Sequence, residues 1–131
     1  MTAPDPAPPD GPVGEVTVQT IAMPADTNAN GDIFGGWLMA QMDLGASVLA
    51  RRRSRGRVAT VAVDAMAFLK PVHVGDLVSV HARMLREGRS SMRIGVEVWI
   101  MRLPEGAHVK VTEATFTFVA IGEDGRSRPL P

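Results

Sequence analysis

The stretch D-T-N-A-N-G-D-I-F-G-G-W-L-M-A-Q-M-D-L-G, Asp26 to Gly45, decides how this chain is read. Its first half is a polar loop that Asn28, Asn30 and Gly31 allow to turn, since they tolerate left-handed backbone angles at little steric cost. Its second half has the spacing of a helix. From Gly36 to Ala50 only Gln41, Asp43 and Ser47 are polar. At about 100° per residue, Leu38, Met42, Gly45 and Leu49 share one face while Trp37, Leu44 and Val48 cover the next. A helix so apolar on all sides is expected to be buried, which makes Asp43 an anomaly: an ionised carboxylate there costs several kcal/mol unless a charge, donors or a wet cleft compensates it.

Two readings of Asp43 follow. It is a buried acid held by an arginine or by backbone donors, or it is a reactive group. Its neighbours favour the second. Gly35 and Gly36 leave the first N–H groups of the helix unshielded, with the positive end of the helix dipole behind them, and the acid follows about two turns later. Donors for a developing oxyanion and a carboxylate that can activate water or attack are the parts that hydrolysis of an activated carbonyl needs. A tight turn or close packing against a strand is the alternative for at least one of the two glycines.

Composition bounds the rest. The 131 residues, 45% hydrophobic and 21% charged, suit one globular domain with a core of ordinary size. Fourteen basic residues balance fourteen acidic ones, so no global charge points to nucleic acid or to a membrane surface. The absence of cysteine excludes disulfides, thiol nucleophiles and Cys-ligated zinc, and fits a reducing compartment. With no apolar run long enough to span a bilayer and no basic-then-apolar opening, a cytoplasmic protein is expected.

Outward from the helix, residues 1–14 are too rich in proline to form a helix or a ladder and are expected to be a disordered or extended tail. Glu15 to Met23 alternates weakly, as a strand entering a sheet does, and Pro24 ends it. Arg51, Arg52 and Arg53 close the helix with cations that complement its carbonyl end. With Arg55 and Arg57 they form a dense basic run. It is read as a solvated helix terminus, the simpler expectation, or as an electrostatic lure for a phosphorylated ligand.

Beyond Gly56 the period changes to two. Val58 to Leu69 is a strand expected to be covered on both faces. Leu77 to Leu85 carries Val78, Val80, Ala82 and Met84 on one face, and Arg86-Glu87-Gly88-Arg89 is expected to turn with Gly88 at positive φ. Met92 to Met101 points Met92, Ile94, Val96, Val98 and Ile100 inward, Leu103 to Gly106 turns, and Val109 to Ile121 is the last strand. Residues 15–121 thus form one domain, and residues 122–131 are expected to trail off as a charged tail. The layout is α+β, an antiparallel sheet wrapped around a central helix. Because one sheet cannot cover so apolar a helix, and Trp99 and Met101 add apolar residues to the outer face and edges, a homodimer or larger assembly with a shared site is expected, with Trp99 read first as simple core.

Other chemistries lack their signatures. His73, His81 and His108 have no metal-ligand spacing and are expected to be ordinary loop or strand-surface histidines. Ser47 sits mid-helix, not on a strand-to-helix elbow. No glycine-rich phosphate loop is present. Asp32, Asp64 and Asp76 rank behind Asp43 as acids; Asp76 reads as a turn residue.

The run M-P-A-D-T-N-A-N-G-D-I-F-G-G-W-L-M-A-Q-M-D from Met23 to Asp43, with V-A-V-D-A-M-A-F-L-K-P-V-H-V-G-D from Val61 to Asp76, G-R-S-S at Gly88 to Ser91 and V-E-V-W at Val96 to Trp99, resembles the hot-dog-fold acyl-CoA thioesterases of the short, single-domain YciA-like group. It extends over nearly the whole chain except the proline-rich head. The resemblance implies hydrolysis of acyl-CoA to a free acid and CoA, with CoA as part of the substrate and no separate cofactor or metal. It implies dimers with shared sites, often assembled as a trimer of dimers. By position it makes Asp43 the catalytic carboxylate and Asn28 its helper across the dimer interface. Gly35 and Gly36 become the donors to the thioester oxygen, and Arg89, Ser90 and Ser91 a hairpin near the CoA moiety. Asn28 can equally be a turn-stabilising residue, and Arg89 to Ser91 a plain β-turn. Ala67 departs from the pattern, where a polar residue is expected before the Phe.

Two other functions fit the same fold. A non-catalytic acyl-CoA sensor gains nothing from a desolvated acid, and a dehydratase needs a histidine base that the Asp26 to Gly45 block lacks.

Overall fold

The computed structural model describes residues 11–131. Strand β1 spans Glu15–Ile21, helix α1 Gly35–Ser54, and strands β2 to β5 span Val58–Phe68, Leu77–Glu87, Ser91–Arg102 and Ala107–Ala120. One antiparallel sheet of order β1-β3-β4-β5-β2 carries the single long helix on one face. This is the α+β arrangement that the periodicities predict.

The core lies between α1 and the inner sheet face. Val78, Val80 and Ala82 of β3 meet Met92, Ile94, Val96, Val98 and Ile100 of β4 and Phe116, Phe118 and Ala120 of β5, all essentially inaccessible. Each large apolar side chain so buried stabilises the fold by roughly 1.5–3 kcal/mol. From the helix come Leu38, Met42, Ala46 and Ala50. Gly45 sets how closely the helix lies on the sheet. A Cβ there would stand 2.6 Å from both Thr17 Oγ1 and Val80 Cγ1, so only glycine lets α1 settle against β1 and β3.

Several expectations are corrected. The helix is not buried all round: Met39, Leu44 and Val48 are exposed, because a single sheet covers one side of a cylinder. β2 is not covered on both faces either. It is one of the sheet's two outer strands, and Thr60 to Ala65 are exposed along it. Gly88 does not adopt positive φ; β3 and β4 run to Glu87 and Ser91, and Gly88 matters instead for its close approach to the Ser91 hydroxyl.

The last ten residues do not trail away. A turn at Gly122 to Arg126 brings Arg128 N–H to the Ala120 carbonyl at 2.9 Å and Leu130 N–H to the Arg89 carbonyl at 2.8 Å, and Leu130 packs against the core. Residues 1–10 of the expected tail lie outside the described residues. Its end is fastened: Val13 N–H donates to Glu97 Oε1 at 3.4 Å, and Gly14, at φ +111°, lies against the Ala82 backbone.

Two ionisable groups are buried among the described residues: Asp76, at the end of the turn expected of it, and His81, which was expected on a strand surface. Asp76 is closed off by Arg102, which donates from Nε and from a terminal nitrogen at 3.0 and 2.8 Å, and by the His73 N–H at 2.8 Å. Burial alone pushes this carboxyl up. The guanidinium and the amide outweigh it, and the net shift is downward. His81 is buried beside Ser79, Nε2 to Oγ 2.9 Å. Burial, then the nearby His108, holds it below the usual histidine range, against the opposing pull of Glu97 and the Gly14 backbone.

Candidate active site

The loop ahead of α1 is held by its own polar groups. A short 3-10 turn at Pro24–Asp26 is closed by Met23 N–H to Asp26 Oδ2 at 3.1 Å. Asn28 then organises the next four residues: its Oδ1 accepts from Asn30 N–H at 2.9 Å and Asp32 N–H at 3.2 Å, while Gly31 at φ +82° donates to its backbone carbonyl. That is the turn-stabilising role, and it occupies the amide oxygen only. Phe34 N–H bonds the Asp26 carbonyl and Ile33 N–H the Val72 carbonyl, so the chain enters the helix along a fixed direction.

Phe34 is the N-cap, with non-helical backbone at φ −57°, ψ 134° and no side-chain cap. The first helical bond is Leu38 N–H to the Phe34 carbonyl at 3.2 Å, which leaves the Gly35, Gly36 and Trp37 N–H groups ahead of the ladder. The two glycines differ. A Cβ on Gly35 would touch the Phe68 ring at 3.4 Å, the close packing against a strand expected of one of the pair, whereas nothing lies within 4 Å of a Cβ on Gly36. A cleft of about 270 Å³ opens here, walled by Ile33, Gly35, Leu38, Phe68, Leu69 and Val72, with Asp32 and Lys70 at its edge. It pairs backbone donors and the dipole's positive end with an apolar wall, which suits a polarised carbonyl carrying an alkyl chain.

Asp43 lies farther along α1 and opens into a different cleft of about 480 Å³, lined by Ser47, Arg51, Gly56, Arg57, Val58, Thr60 and Phe118. The half-buried carboxylate turns toward β2, not into the core. Thr60 donates its hydroxyl to Asp43 Oδ1 at 2.6 Å. Among the described residues no cation pairs with Asp43, so the reading of an acid locked to an arginine does not hold. Oδ2 has no hydrogen-bond partner among the described residues.

The single chain therefore does not bring all the expected groups together. Gly36 and Asp43 are seven residues apart, about 10 Å along a helix axis, and Gly35 is about 12 Å away. One carbonyl carbon cannot meet both within one subunit. Arg89, Ser90 and Ser91 border neither cleft; their backbone ties the β3–β4 hairpin to the end of β5 and to the C-terminal segment, through Ser90 and Arg89 carbonyls accepting from Ala120 and Leu130. Ala67 contributes its carbonyl to the Thr112 hydroxyl at 2.9 Å.

Sequence reasoning missed Thr60. Its signal was a hydroxyl on β2 inside the otherwise apolar V-A-T-V-A-V, and nothing in that pattern says which helical residue it meets. It also missed Arg51 and Arg57 as walls of the acid's cleft.

Comparison with known proteins gives a consistent result. Residues 30–107 match the family model described as the thioesterase superfamily. The acyl-CoA thioester hydrolase YciA of Salmonella typhimurium is 54% identical over 123 residues, 92% of this chain and 92% of its own. Among solved structures, a hexameric thioesterase from Yersinia pestis is 54% identical with a TM-score of 0.88, over 92% of this chain and 98% of that one. A hexameric hotdog-fold thioesterase of Campylobacter jejuni is 37% identical with a TM-score of 0.86, over 90% and 91%.

Proposed function

The chain belongs to the thioesterase superfamily, and from that premise, in which it is an acyl-CoA thioester hydrolase working as a homo-oligomer, we propose which of its residues carry out the reaction. The observation that carries the proposal is the Asp43 carboxylate: unpaired with any cation among the described residues, oriented by Thr60 through one oxygen, and lining a cleft.

The thioester carbonyl docks against the Gly35 and Gly36 N–H groups at a helix N-terminus, where donors and dipole favour the charge that grows on oxygen. Asp43 acts on the carbonyl carbon. As general base it takes a proton from water, and the hydroxide adds to give a tetrahedral oxyanion; collapse expels the CoA thiolate, which recovers the proton. As nucleophile its free oxygen displaces the thiolate directly, and water then opens the mixed anhydride. In both routes acid and CoA are the products. The thiolate leaves readily enough that neither route calls for a metal or a further cofactor.

The separation of about 10–12 Å between donors and acid in one helix argues for a site shared by two subunits, Asp43 facing Gly35, Gly36 and Asn28 of the partner subunit. Asn28, whose Oδ1 is taken up by its own loop, then offers its amide N–H groups to water or substrate. Two exposed surfaces favour such a dimer. The helix stripe Ala40, Leu44 and Val48 is apolar at a spacing of four, and β2 presents Val61 and Val63 on an unpaired edge. Three such dimers make the hexamer that the Yersinia and Campylobacter relatives form. Arg89, Ser90 and Ser91 are assigned to the outer part of the CoA moiety. A cytoplasmic site of action belongs to the same proposal, because a substrate with several phosphate charges does not cross a membrane unaided; among the described residues no helix is long and apolar enough to cross one.

Thiol release from acyl-CoAs of short, medium and long chain tests the reading. Stoichiometric CoA and free acid are expected. Tight binding of every member with no thiol released points instead to a sensor, and overturns it.

A further inference from the structure

Three side chains on the outer face of the sheet are closed off from water. Val78, Val80 and Ala82 of β3 and Val98 and Ile100 of β4 point into the core, so Ser79, His81 and Trp99, which alternate with them, point away from the helix. They are nevertheless only 6%, 5% and 8% exposed. Part of their cover is the chain ahead of β1. Gly14, at φ +111°, lies so close over Ala82 that a Cβ would stand 2.8 Å from the Ala82 carbonyl oxygen, and the Gly14 backbone is a hydrogen-bond partner of the His81 ring. Val13 N–H reaches Glu97 Oε1 at 3.4 Å, and Val13 forms one wall of a cleft of about 220 Å³ with Arg83, Leu85, Gly95 and Glu113.

His81 and Glu97 are direct cross-strand partners, and in such a pair the Cβ atoms stand about 5 Å apart. Glu97 is already shared: its Oε1 also accepts from Trp99 Nε1–H at 2.8 Å, and its Oε2 lies 3.9 Å from Lys110 Nζ. Lys110 pairs more closely with Glu113, at 2.6 Å. The other charged or titratable groups around His81 are Arg83 on its own strand and His108 on β5, whose ring centroid is 4.9 Å from that of Trp99. Glu15, at the start of β1, is turned to Arg52 of the helix, and residues 11–14 carry no side-chain charge.

A neutral His81 suits this arrangement, because Ser79 Oγ, 2.9 Å from Nε2, and the Gly14 backbone complete its hydrogen bonds. A charged ring does not. Burial disfavours the cation, His108 adds to the penalty, and together they outweigh the pull of Glu97 and Gly14. Two movements relieve it, and both loosen residues 11–14. Lifting them lets water reach the ring, and a Glu97 carboxylate that turns to the cation gives up the Val13 N–H.

We propose that His81 and Glu97 form a latch that holds residues 11–14 across the outer sheet face while the imidazole is neutral and releases them when it takes up a proton. Above neutrality neither the covered nor the uncovered ring is charged, and the latch is at full strength. As pH falls through the ordinary histidine range the uncovered ring charges first, so the closed state loses ground until the covered ring charges as well. Release widens the cleft that Val13 walls and leaves the Asp43 cleft, on the helix side of the sheet, untouched.

Hydrogen exchange of the intact oligomer, read by mass spectrometry, tests this. Protection of the amides from Val13 to Val16, corrected at each pH for the exchange rate of an unstructured peptide and referred to the amides of β4, is expected to fall about threefold or more between about pH 7.5 and pH 5.5. In His81→Gln, which cannot charge, it should stay constant. Should that variant not assemble, His108→Asn decides: without the neighbouring ring His81 takes up its proton more readily, so the fall should persist and begin at higher pH. Wild-type protection that is flat over this range, the same fall in His81→Gln, or its disappearance or shift to lower pH in His108→Asn overturns the proposal.

Discussion

If the acid and the oxyanion donors of one active site come from different subunits, two inactive variants should restore each other. Asp43→Ala removes the acid. For the other half, Asn28→Asp is the least disruptive change: its Oδ1 still accepts from Asn30 and Asp32 N–H at 2.9 and 3.2 Å, so the loop keeps its shape, and only the amide donors are lost. When both variants are co-expressed with different tags, dimers form in a ratio of about one to two to one. In each mixed dimer one site unites the intact Asp43 of one protomer with the intact Asn28 of the other, and the second site is doubly defective. About one quarter of all sites are then wild-type, and activity should recover to about one quarter of the wild-type rate. The size of the effect follows from the helix: at 1.5 Å per residue the acid lies about 10–12 Å from the glycine donors of its own chain, too far for one carbonyl. The assay is CoA release by the doubly purified mixed oligomer. Recovery no greater than the sum of the two parents would refute the shared site and require a donor for Asp43 within its own subunit.

Thr60→Val keeps the β2 backbone and removes the hydroxyl that fixes Asp43 Oδ1; a lost charge-assisted bond of about 1.5–3 kcal/mol should lower kcat by about 10- to 150-fold with the oligomer unchanged, measured by steady-state kinetics. Arg102→Ala leaves the buried Asp76 without its cation, and chemical denaturation should show a loss of about 3 kcal/mol. In the wild type the Asp76 carboxyl is held below its ordinary 3.8, so the unfolded chain binds more protons: the pair's contribution is full above that pH and declines as pH falls through the lower folded value, a limb that the variant should lack in acid unfolding curves. Gly45→Ala forces a methyl to within 2.6 Å of Thr17 and Val80; overpacking of about 1–3 kcal/mol against a helix-propensity gain of up to about 1 should lower the melting temperature by several degrees.

Most of the fold was legible because both periodicities are clean. The alternation from Met92 to Ile100 leaves no doubt which face of β4 is buried, and the switch to period two after Gly56 separates helix from sheet. Order within the sheet was less accessible: nothing in V-A-T-V-A-V-D-A says that β2 is an outer strand, since an interface strand is as apolar as a buried one. The same ambiguity made the helix look buried all round, when its exposed stripe at Leu44 and Val48 suits a second copy. At the site, Asp43 announced itself by being charged among apolar neighbours. Thr60 did not, because its partner is 17 residues away in sequence and its role depends on a strand crossing beside the helix. His81 read as a surface residue, and Asp76 as no more than a turn residue, for a similar reason: the Gly14 backbone and Arg102 reach them only after the strands have paired. The arginines around Gly56 were visible as a run, except for Arg128, which the C-terminal turn returns from 72 positions later in the chain.

The central claim is that Asp43 does the chemistry, and its most direct test is turnover by purified Asp43→Ala, with sedimentation and thermal unfolding confirming the wild-type assembly. The account predicts a fall in kcat of about 10²–10⁴-fold, with KM for acyl-CoA little changed because the phosphates and the thioester oxygen are held elsewhere. A variant that still turns over within a few-fold of the wild type would contradict it.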